Sequence, residues 1–267
     1  MVNATVIFET EPGTCVRLAG PDPDLSDLVE YYISIEVPPD AAHPFCLIGL
    51  PSLHNLCAIP LTTYDKSVYD HENEQTVIFR DPMFLGILRT AVSCSYPPGS
   101  REFSVKFKPG IMPLLFDIAA GELLGNNLFA EAYLADNLVQ RLKEAETVEQ
   151  QVIIADNWLR KLASQIIKNH KMSTVTQALM VAGRQPDCRI SGIAASVSTS
   201  PVTLTRYFKD MLGMSPAQCF RLMRFRTALE AYRAAGSKQL FDQFGYTDFS
   251  HFAKEARKLT KRAPGRL

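Results

Sequence analysis

The segment Ser200–Gly213 constrains this chain more than any other, because it combines a favourable start, one apolar face and a defined end. Ser200 is a good N-cap and Pro201 suits the first helical position, so a helix is predicted to begin here. Its apolar stripe consists of Leu204, Tyr207, Phe208 and Met211, and its other face of Val202, Thr203, Thr205, Arg206 and Lys209. Such a helix suits the major groove of DNA. Taken alone, the segment is more typical of an ordinary amphipathic surface helix, and only its surroundings favour DNA binding.

The residues around this segment complete a helix-turn-helix motif. The apolar run Ile190–Val197 predicts a short helix, and Ser198 and Thr199 turn the chain into the helix at Ser200. The small side chain of Ala194 matters because two helices that cross steeply need little bulk where they touch. A short helix, a tight turn and a capped second helix together define the motif.

A second unit of the same kind follows further along the chain. Its first helix is predicted over Gln239–Phe244, a turn spans 245–247, and Asp248 caps the next helix. Phe252 and Ala256 lie on one face of that helix. The candidate outward positions are Phe249, Ser250, Lys254, Arg257 and Lys258.

A long helix is predicted between the two units. It begins at Ser215 and Pro216, runs to about Ala235, and has Gly236 as its stop. A helix of about 20 residues spans about 30 Å, and successive major-groove faces on one side of B-DNA lie about 34 Å apart. A rigid helix of this length can offer two recognition helices to adjacent turns of one duplex, which favours DNA over RNA or a membrane surface.

The charge of the chain is unevenly distributed. The 267 residues include 28 Lys and Arg and 28 Asp and Glu, a net charge of zero. Residues 189–267 contain 14 basic and 5 acidic residues, which leaves 14 basic and 23 acidic residues in 1–188. A basic C-terminal segment joined to an acidic N-terminal one is typical of a protein that binds a polyanion at one end.

The motif residues themselves carry a family resemblance. The first unit, IAASVSTSPVTLTRYFKDMLGMSP, has Ala194, Ser200, Leu204, Arg206, Phe208, Lys209, Gly213, Ser215 and Pro216 in register with the pattern LA-x4-hydrophobic-S-x3-L-x-R-x-F-K-x3-G-x-SP. Arg224 and Ala228 match an RxxxA in the linking helix. The second unit, FGYTDFSHFAKEARKLTKRAP, matches GF-x-D-x-SHF-x-R-x-FKK-x2-G-x-SP at Gly245, Asp248, Ser250, His251, Phe252 and Pro264. The chain thus resembles the AraC/XylS family of bacterial transcription regulators over its C-terminal third.

The second unit departs from the family pattern. Ala256 and Arg257 replace the Phe and first Lys of FKK, Lys261 replaces the following Gly, Ala263 replaces the Ser, and Phe241 and Ser237 stand where Ala and an aliphatic residue are usual. These departures predict a second unit that packs less tightly, or that binds DNA differently. In the second case it would contact mainly the DNA backbone. The first unit is the better preserved of the two.

The resemblance implies two recognition helices in successive major grooves. By register, the side chains that would face bases or phosphates are Val202, Thr205, Arg206, Phe249, Ser250 and Lys254, and Thr203, Lys209 and Arg257 complete the predicted DNA-binding set. Arg206 is a candidate for a bidentate contact to guanine or for a phosphate, whereas Lys209 and Lys254 suit phosphates. His251 and Phe252 would hold their helix in place.

The N-terminal region reads as short strands separated by Pro- and Gly-containing turns. The predicted strands are Thr5–Glu9, Thr14–Leu18, Tyr31–Val37, Phe45–Leu50, Asn55–Ile59, Gln75–Phe79 and Phe103–Lys108. A helical turn over Ser26–Tyr32 is an alternative, because its apolar residues also have helical spacing. Many short strands predict a barrel or a sandwich rather than a parallel sheet.

From residue 111 onward the apolar period becomes helical. The predicted helices are Ile111–Ala120, Ala130–Ala145, a longer one capped by Thr147 that reaches Ile166, and Met172–Gly183. The stripe of the long helix either packs on its own domain or pairs with a second copy in a dimer.

The sequence contains no recognisable catalytic or metal-binding constellation. His43, His54 and His71 lack the spacing of metal ligands, and no GxSxG, HExxH or phosphate-binding GxxxxGK[ST] motif is present. A strand that ends in a Pro-Gly turn explains Lys106–Gly110, KFKPG, as well as an anion-binding turn does. We therefore predict no enzyme activity, no metal and no cofactor. A β-rich domain in front of a DNA-binding module remains a plausible sensor of a small molecule.

These observations predict an α+β protein of two domains. Residues 1–168 form a mainly-β barrel or sandwich (1–110) with trailing helices (111–168) that senses a ligand or dimerises, and residues 169–267 form an all-α double helix-turn-helix domain. The predicted function is sequence-specific, double-stranded DNA-binding transcription regulation. A small-molecule effector, a second copy of the chain and RNA polymerase are the other candidate partners. Scattered cysteines without a signal peptide or a membrane helix predict a cytoplasmic protein. The alternatives are a protein-interaction module with a degenerate second unit and, less favoured, an enzyme in the N-terminal barrel.

Overall fold

The computed structural model describes residues 6–9, 13–164, 169–185, 188–235 and 241–267. Its strands are β1 (Val6–Glu9), β2 (Cys15–Ala19), β3 (Val29–Glu36), β4 (Phe45–Gly49), β5 (Asn55–Pro60), β6 (Lys66–Asp70), β7 (Gln75–Phe79), β8 (Met83–Leu85), β9 (Val92–Tyr96), β10 (Arg101–Phe107) and β11 (Asn127–Phe129). Its α-helices are α1 (Ile111–Phe116), α2 (Leu138–Glu144), α3 (Val148–Ala163), α4 (His170–Arg184), α5 (Ile190–Ser196), α6 (Pro201–Leu212), α7 (Pro216–Ala235) and α8 (Phe249–Thr260). The α+β class with a β-rich N-terminal region and C-terminal helices is confirmed.

The strands form two antiparallel sheets that pack face to face. One sheet has the order β1-β4-β9-β6-β7 and the other β11-β8-β5-β10-β3-β2. Ile33 and Ile35 from the second sheet pack with Leu47 and Tyr96 from the first in one buried cluster. The opposite face of the second sheet is also buried, because helices cover it. Tyr32 on that face donates a hydrogen bond to Asp156 of α3 at 2.5 Å.

The seven predicted strands are found at nearly their predicted positions, except that Thr5 lies outside the described residues. Four further strands, β6, β8, β9 and β11, were not predicted. Two of them have only three residues, and β6 and β9 contain Lys, Ser and Cys at positions where strand patterns favour β-branched or aromatic residues. The alternative, in which Ser26–Tyr32 begins as a helical turn, holds only for residues 26–28, which form a turn after a 3-10 helix at Pro23–Leu25, because β3 begins at Val29 and buries both Tyr31 and Tyr32.

The helices that follow differ from the predictions at their ends. The helix predicted over Ile111–Ala120 stops at Phe116, because Asp117 adopts a left-handed conformation at φ 50°. The helix predicted over Ala130–Ala145 is wrong as one element. It is a 3-10 turn at Glu131–Tyr133 and then α2, separated by Asn137 at φ 62°. The cap of α3 is confirmed, since the Thr147 hydroxyl accepts a hydrogen bond from the backbone amide of Gln150 at 3.3 Å. Ile166 and the predicted boundary at residue 168 lie outside the described residues.

The C-terminal helices pack directly against the β-rich region. The backbone amide of Ala91 donates a hydrogen bond to the carbonyl of Leu259 in α8 at 2.8 Å. Gly213, at the end of α6, approaches Ala120 so closely that an added Cβ would lie 3.0 Å from its carbonyl oxygen. Both helix-turn-helix units therefore contact the N-terminal region.

Candidate DNA-binding surface and N-terminal cavity

The first unit has the geometry that its sequence predicts. Ser198 turns the chain at φ 53°, and the Ser200 hydroxyl accepts a hydrogen bond from the backbone amide of Thr203 at 3.1 Å. The amide of Thr199 also donates to the carbonyl of Ala194 at 2.9 Å, which ties the turn to α5. Ala194 has no exposed surface, as expected of a small residue at a close helix crossing. The short helix, turn and capped helix form a helix-turn-helix.

The predicted outward side chains of α6 lie together on its open face. Arg206 and Lys209 are exposed and Val202 is 81% exposed. Thr203 and Thr205 are half-buried, and the Thr205 hydroxyl donates to the carbonyl of Pro201 at 2.8 Å. One helical face thus presents the exposed methyl groups of Val202 and the exposed cations of Arg206 and Lys209, each about one turn from the next.

Helix α7 links the two units as one continuous element. Its 20 residues correspond to a length of about 30 Å. Buried side chains run along it, among them Cys219, Leu222, Phe225, Ala228 and Leu229. Gly236, its predicted stop, lies outside the described residues.

The second unit is shorter before its turn than the first. A 3-10 turn at Asp242–Phe244 stands in place of part of the predicted helix, whose residues 239–240 lie outside the described residues. The Asp248 carboxylate accepts a hydrogen bond from the backbone amide of His251 at 2.8 Å, which confirms the cap. Phe252 and Ala256 are buried on one face. The exposed side chains of α8 include Ser250, Lys254, Arg257 and Lys258.

Phe249 differs from its predicted outward position. Its half-buried ring packs against Phe241 at 5.4 Å and Tyr232 at 5.8 Å between centroids. Phe241 in turn stacks on Phe252 at 4.7 Å and is 3% exposed. The unusual Phe241 therefore supplies bulk to the same core in which Ala256 replaces the family's Phe. These ring contacts fill the core of the second unit.

A buried carboxylate joins α8 to the linking helix. Glu255 is 8% exposed, and it accepts a hydrogen bond from Arg221 Nε at 2.5 Å and another from the Tyr246 hydroxyl. Arg224 lies 3.8 Å from the same carboxylate and its guanidinium group lies over the Tyr246 ring. Burial and the Glu255 carboxylate raise the pKa of Tyr246 above its ordinary value. Sequence reasoning missed this network, although four basic residues on α7 were visible: Arg221, Arg224, Arg226 and Arg233.

A cavity of about 130 Å³ lies between the two sheets. Its apolar wall includes Ile33, Ile35, Leu47, Leu56, Val68, Leu85, Leu88 and Val92. Its polar wall comes mainly from β10, whose alternate residues Glu102, Ser104 and Lys106 face inward and are 5% exposed or less. Strand patterns normally place polar residues toward solvent. Here both faces of the sheet are covered, so the polar face of β10 lines the cavity.

Glu102 is the centre of a hydrogen-bond network in that wall. Its carboxylate accepts from Lys66 Nζ at 2.5 Å and from the hydroxyls of Tyr64 and Tyr96, each at 2.9 Å. Ser104 donates to it as well, at 3.1 Å. Burial and the adjacent carboxylate raise the pKa of Tyr96 far above its ordinary value. Lys66 and Glu102 thus form a buried ion pair, and the three hydroxyl groups donate further hydrogen bonds to its carboxylate.

The cavity wall is also in electrostatic contact with the linking helix. Lys106 Nζ donates to the Tyr31 hydroxyl at 3.0 Å. Burial lowers the pKa of Lys106 well below its ordinary value, and the positive charge of Arg226 in α7 lowers it further. Arg226 donates to Glu230 at 3.1 Å. The charge of Arg226 in the linking helix thus adds to the effect of burial on a side chain of the cavity wall.

A second polar group lies beside the cavity. His54 Nδ1 is 2.9 Å from the Ser52 hydroxyl, its Nε2 is 3.7 Å from the Glu30 carboxylate, and Lys108 pairs with Glu30. Burial lowers the pKa of His54 to about 4. The contacts with His54 and Lys108 lower the pKa of Glu30 to about 2. Among the described residues, no group of three or more His, Cys, Asp or Glu side chains is placed to hold a metal ion.

Comparison with known proteins identifies the C-terminal part of the chain. Residues 193–267 match the family model of a helix-turn-helix domain. No curated protein matches the chain in sequence. Within the described residues, no helix combines the length and the apolar character needed to cross a membrane.

Several solved structures are similar to this chain. Unsaturated fatty acid-bound ToxT from Vibrio cholerae is 11% identical, with 97% of this chain and 95% of that chain covered and a TM-score of 0.49. A transcriptional regulator from Chromobacterium violaceum with an AraC-type DNA-binding domain is 21% identical, with coverage of 36% and 88% and a TM-score of 0.34. The AraC-like transcriptional activator CuxR is 14% identical, with coverage of 85% and 87% and a TM-score of 0.33.

The double unit and the family match define a helix-turn-helix DNA-binding domain. In both units the motif residues lie in the register that resembles the AraC/XylS pattern. The domain supports the predicted function of a DNA-binding transcription regulator.

Proposed function

We propose that this protein is a sequence-specific transcription regulator whose two recognition helices, α6 and α8, enter adjacent major grooves of one duplex. The observation that carries this proposal is the continuous helix α7 between two capped helices with cationic outer faces. Its length of about 30 Å is close to the spacing of about 34 Å between groove faces on one side of B-DNA.

The exposed side chains suggest a division of roles. Arg206, whose guanidinium group is exposed near the middle of α6, is proposed to read guanine or to hold a phosphate. Lys209 and Lys254 are proposed to contact phosphates. Val202, with its exposed methyl groups, suits an apolar contact with a thymine methyl group. Ser250 and Arg257 are the corresponding candidates on α8.

The N-terminal region is proposed to act as the regulatory domain, with a division near residue 168. The cavity between its sheets would bind a small-molecule effector, and the hydrogen bond between Ala91 and Leu259 of α8 would transmit its presence. We propose that the protein works in the cytoplasm by binding rather than by catalysis. A second copy of the chain and RNA polymerase are its proposed protein partners.

Selection from a random pool of duplex DNA tests the proposal. The full chain is expected to enrich a bipartite site whose halves are one helical turn apart. Arg206→Ala is expected to lower the affinity for the enriched site by about 1–3 kcal/mol and to relax its sequence at one position. Lys143→Ala, which removes an exposed cation from α2, is the matched control and should bind as wild type does. Equal binding of every duplex by wild type and Arg206→Ala would exclude this assignment.

A protein-interaction module is the second candidate function, and one observation favours it. Phe249 serves the aromatic core of the second unit, so that α8 has fewer side chains left for bases than α6. A salt titration separates the candidates. Affinity for DNA should fall steeply between about 50 and 200 mM salt because counterions are released from the phosphates, and a protein-binding module would show no DNA affinity at either concentration.

A further inference from the structure

Strand β7 is an open edge of the N-terminal sandwich. It is the last strand of its sheet, and among the described strands it pairs with β6 alone. The free N–H and C=O groups of an edge strand can pair with another strand, and proteins commonly prevent this with a very short strand or a charged side chain. The edge strands β2 and β11 follow this rule, since β2 contains Arg17 and β11 has three residues. The residues of β7, QTVIF, include no charge and no proline.

Both faces of β7 present apolar side chains to solvent. Val77 lies opposite Val68, which lines the cavity between the sheets, so Val77 is on the inner face. Ile78 is therefore on the outer face. The exposed fractions of these two side chains are 47% and 48%, and Phe129 of β11, which lines the same groove of about 770 Å³, is 69% exposed. A strand added to β7 would cover apolar surface on both faces of the sheet.

Opposite charges flank the strand. Glu74 precedes β7 and Arg80 follows it, and both side chains are exposed. Nε and Nη2 of Arg80 donate to Asp65 at 2.6 and 2.9 Å, which leaves the Nη1 donors of the guanidinium group for a second carboxylate. An antiparallel copy of β7 runs in the reverse direction, so its acidic start would lie beside the basic end of the first copy. The edge is therefore complementary in charge to itself.

We infer that β7 is the interface of a homodimer, in which it pairs antiparallel with β7 of a second copy about a two-fold axis at Val77. Val77 then lies opposite the partner's Val77, and Thr76 lies opposite the partner's Ile78. Glu74 lies opposite the partner's Arg80, and this contact occurs at both ends of the pairing. Since both copies use the same surface, the interface is closed and the two sheets become one continuous sheet. The inference rests on the proposed function in one respect only, because it assigns a surface to the second copy that is named there as a partner.

The charges favour this register over its neighbours. A two-fold axis through an antiparallel pair places the central residue opposite its own copy, so the alternatives are centred on Thr76 or on Ile78. Centring on Ile78 places Arg80 opposite Thr76 and brings no opposite charges together at the strand ends. Centring on Thr76 places Arg80 opposite Glu72, but it also places Glu74 opposite the apolar Ile78. The register described above combines β-branched pairs within the strand with opposite charges at its ends, and both features stabilise antiparallel pairs.

Sedimentation velocity of the full chain over a series of concentrations tests this interface. We expect a reversible equilibrium between monomer and dimer with no larger species, because the pairing occupies the open edge of both copies. Val77→Lys places two ammonium groups opposite each other at the centre and should weaken the dimer by about 10-fold or more. Ile153→Lys, at an isoleucine of α3 that is 59% exposed, is the matched control and should dimerise as wild type does.

Three results of these measurements would overturn the inference. Wild type that stays monomeric at every concentration would leave the edge to a strand of another protein. Larger oligomers in place of a dimer would exclude a closed two-fold pair. A dimer that is lost in Ile153→Lys and kept in Val77→Lys would place the interface on α3, the alternative that the apolar stripe of this helix suggests.

Two charge reversals test the register and do not depend on the folding of Val77→Lys. In a homodimer of Arg80→Glu, or of Glu74→Arg, both end contacts join like charges, so each variant alone should dimerise about 10-fold more weakly than wild type. In a mixture of the two variants, the heterodimer has opposite charges at both ends, and its affinity should return to near that of wild type. Mixing cannot repair a loss of structure at Arg80 itself, which also pairs with Asp65. Dimerisation of the mixture that is no stronger than that of either variant alone would overturn the inference.

A DNA-binding assay separates this inference from the proposed function. A chain that selects DNA sites yet remains a monomer would overturn the interface and leave the regulator standing. A dimer through β7 that binds no duplex would leave the interface standing and exclude the regulator.

Discussion

Gly213 and Lys261 end the two recognition helices in the same left-handed conformation, at φ 68° and φ 56°. The amide of each donates to a carbonyl four residues earlier, Lys209 for the first helix and Arg257 for the second. Glycine adopts this conformation without strain, whereas a residue with a Cβ pays about 1 kcal/mol or more. The family pattern has glycine at both positions, so the second unit keeps the backbone of the motif with an unfavourable residue.

Lys261→Gly is therefore expected to stabilise the protein by about 0.5–1 kcal/mol, after the larger entropy of glycine in the unfolded chain is deducted. Urea unfolding monitored by circular dichroism measures the change. Lys261→Ala removes the charge but keeps the Cβ, so it should leave the free energy of unfolding close to that of wild type. A stability gain in the alanine variant as large as in the glycine variant would show that charge, and not backbone strain, is responsible.

Two serine substitutions distinguish a residue that stabilises the fold from one that contacts DNA. Ser200→Ala removes the acceptor of the Thr203 amide and should cost about 1 kcal/mol of stability. Ser250→Ala, on the exposed face of α8, should leave stability within about 0.5 kcal/mol and change only DNA affinity. Thermal unfolding and DNA titration of both variants check this, and a large loss of stability in Ser250→Ala would contradict the surface assignment.

Glu255→Gln tests the network that joins α8 to the linking helix. The change leaves Arg221 without its charged partner and weakens the acceptor of the Tyr246 hydroxyl, so a loss of about 1–3 kcal/mol is expected. DNA affinity should fall more for sites with two half-sites than for a single half-site, because the spacing of the helices depends on this contact. Glu144→Gln, an exposed glutamate on α2, is the control. Equal stability of the two variants would argue against the network.

The contact between Lys106 and Tyr31 predicts a further stability effect. Tyr31→Phe removes the hydroxyl that accepts the hydrogen bond from Lys106 Nζ and leaves that buried nitrogen without this partner, so it should destabilise the chain by about 1–3 kcal/mol. Tyr69→Phe, at a side chain that is 36% exposed, should change stability by less than about 0.5 kcal/mol. Urea unfolding of both variants measures the difference, which disappears if the Lys106 contact contributes nothing.

Acid is expected to destabilise the protein through His54. The pKa of this group is about 4 in the folded chain, against about 6.5 in the unfolded chain. Between these values the unfolded chain binds a proton that the folded chain does not, so the stability present above about pH 6.5 is lost as the pH falls toward 4. With 22% of the side chain exposed, solvent screens part of the effect, and we expect about 1–2 kcal/mol.

Stability measured from pH 7 to pH 4 checks the role of His54. His54→Gln should flatten the profile in this range, whereas His43→Gln, at an exposed histidine, should follow wild type. The low pKa of Glu30 adds a further loss of stability between about pH 4.5 and 2, which should be smaller in the His54 variant because the contact with His54 is the main cause of that low pKa and only Lys108 remains paired with the carboxylate. An unchanged profile in His54→Gln would remove His54 as the titrating group.

The sequence predictions were accurate where the interactions join residues that are close together in the chain. The caps at Thr147, Ser200 and Asp248 depend on backbone amides three residues away, and the structure confirms all three. The prediction of one helix over Ala130–Ala145 is wrong because of a local backbone feature. Its apolar spacing is helical, but the left-handed Asn137 breaks the backbone there, and apolar periodicity does not report backbone conformation.

The positions of individual functional side chains were less predictable. Phe249 satisfies the outward register of the motif, yet Phe241 from a preceding turn draws its ring into the core. Whether an apolar side chain at such a position faces DNA or the core depends on which residues the fold places beside it. Glu102, Ser104 and Lys106 alternate with apolar residues in a way that normally indicates a solvent-facing side, and nothing local in the chain shows that a second sheet covers them.

The sequence by itself determined the double helix-turn-helix, its caps, the length of its linking helix and the basic charge of its C-terminal segment, because these depend on contacts between near neighbours and on composition. Only the tertiary structure decided that the N-terminal sheets enclose a cavity, that Asn55 is buried with no hydrogen-bond partner for its amide, and that Lys106 of the cavity wall donates to Tyr31. Each of these depends on residues far apart in the chain, whose proximity follows from the packing of the two sheets and the helices against each other.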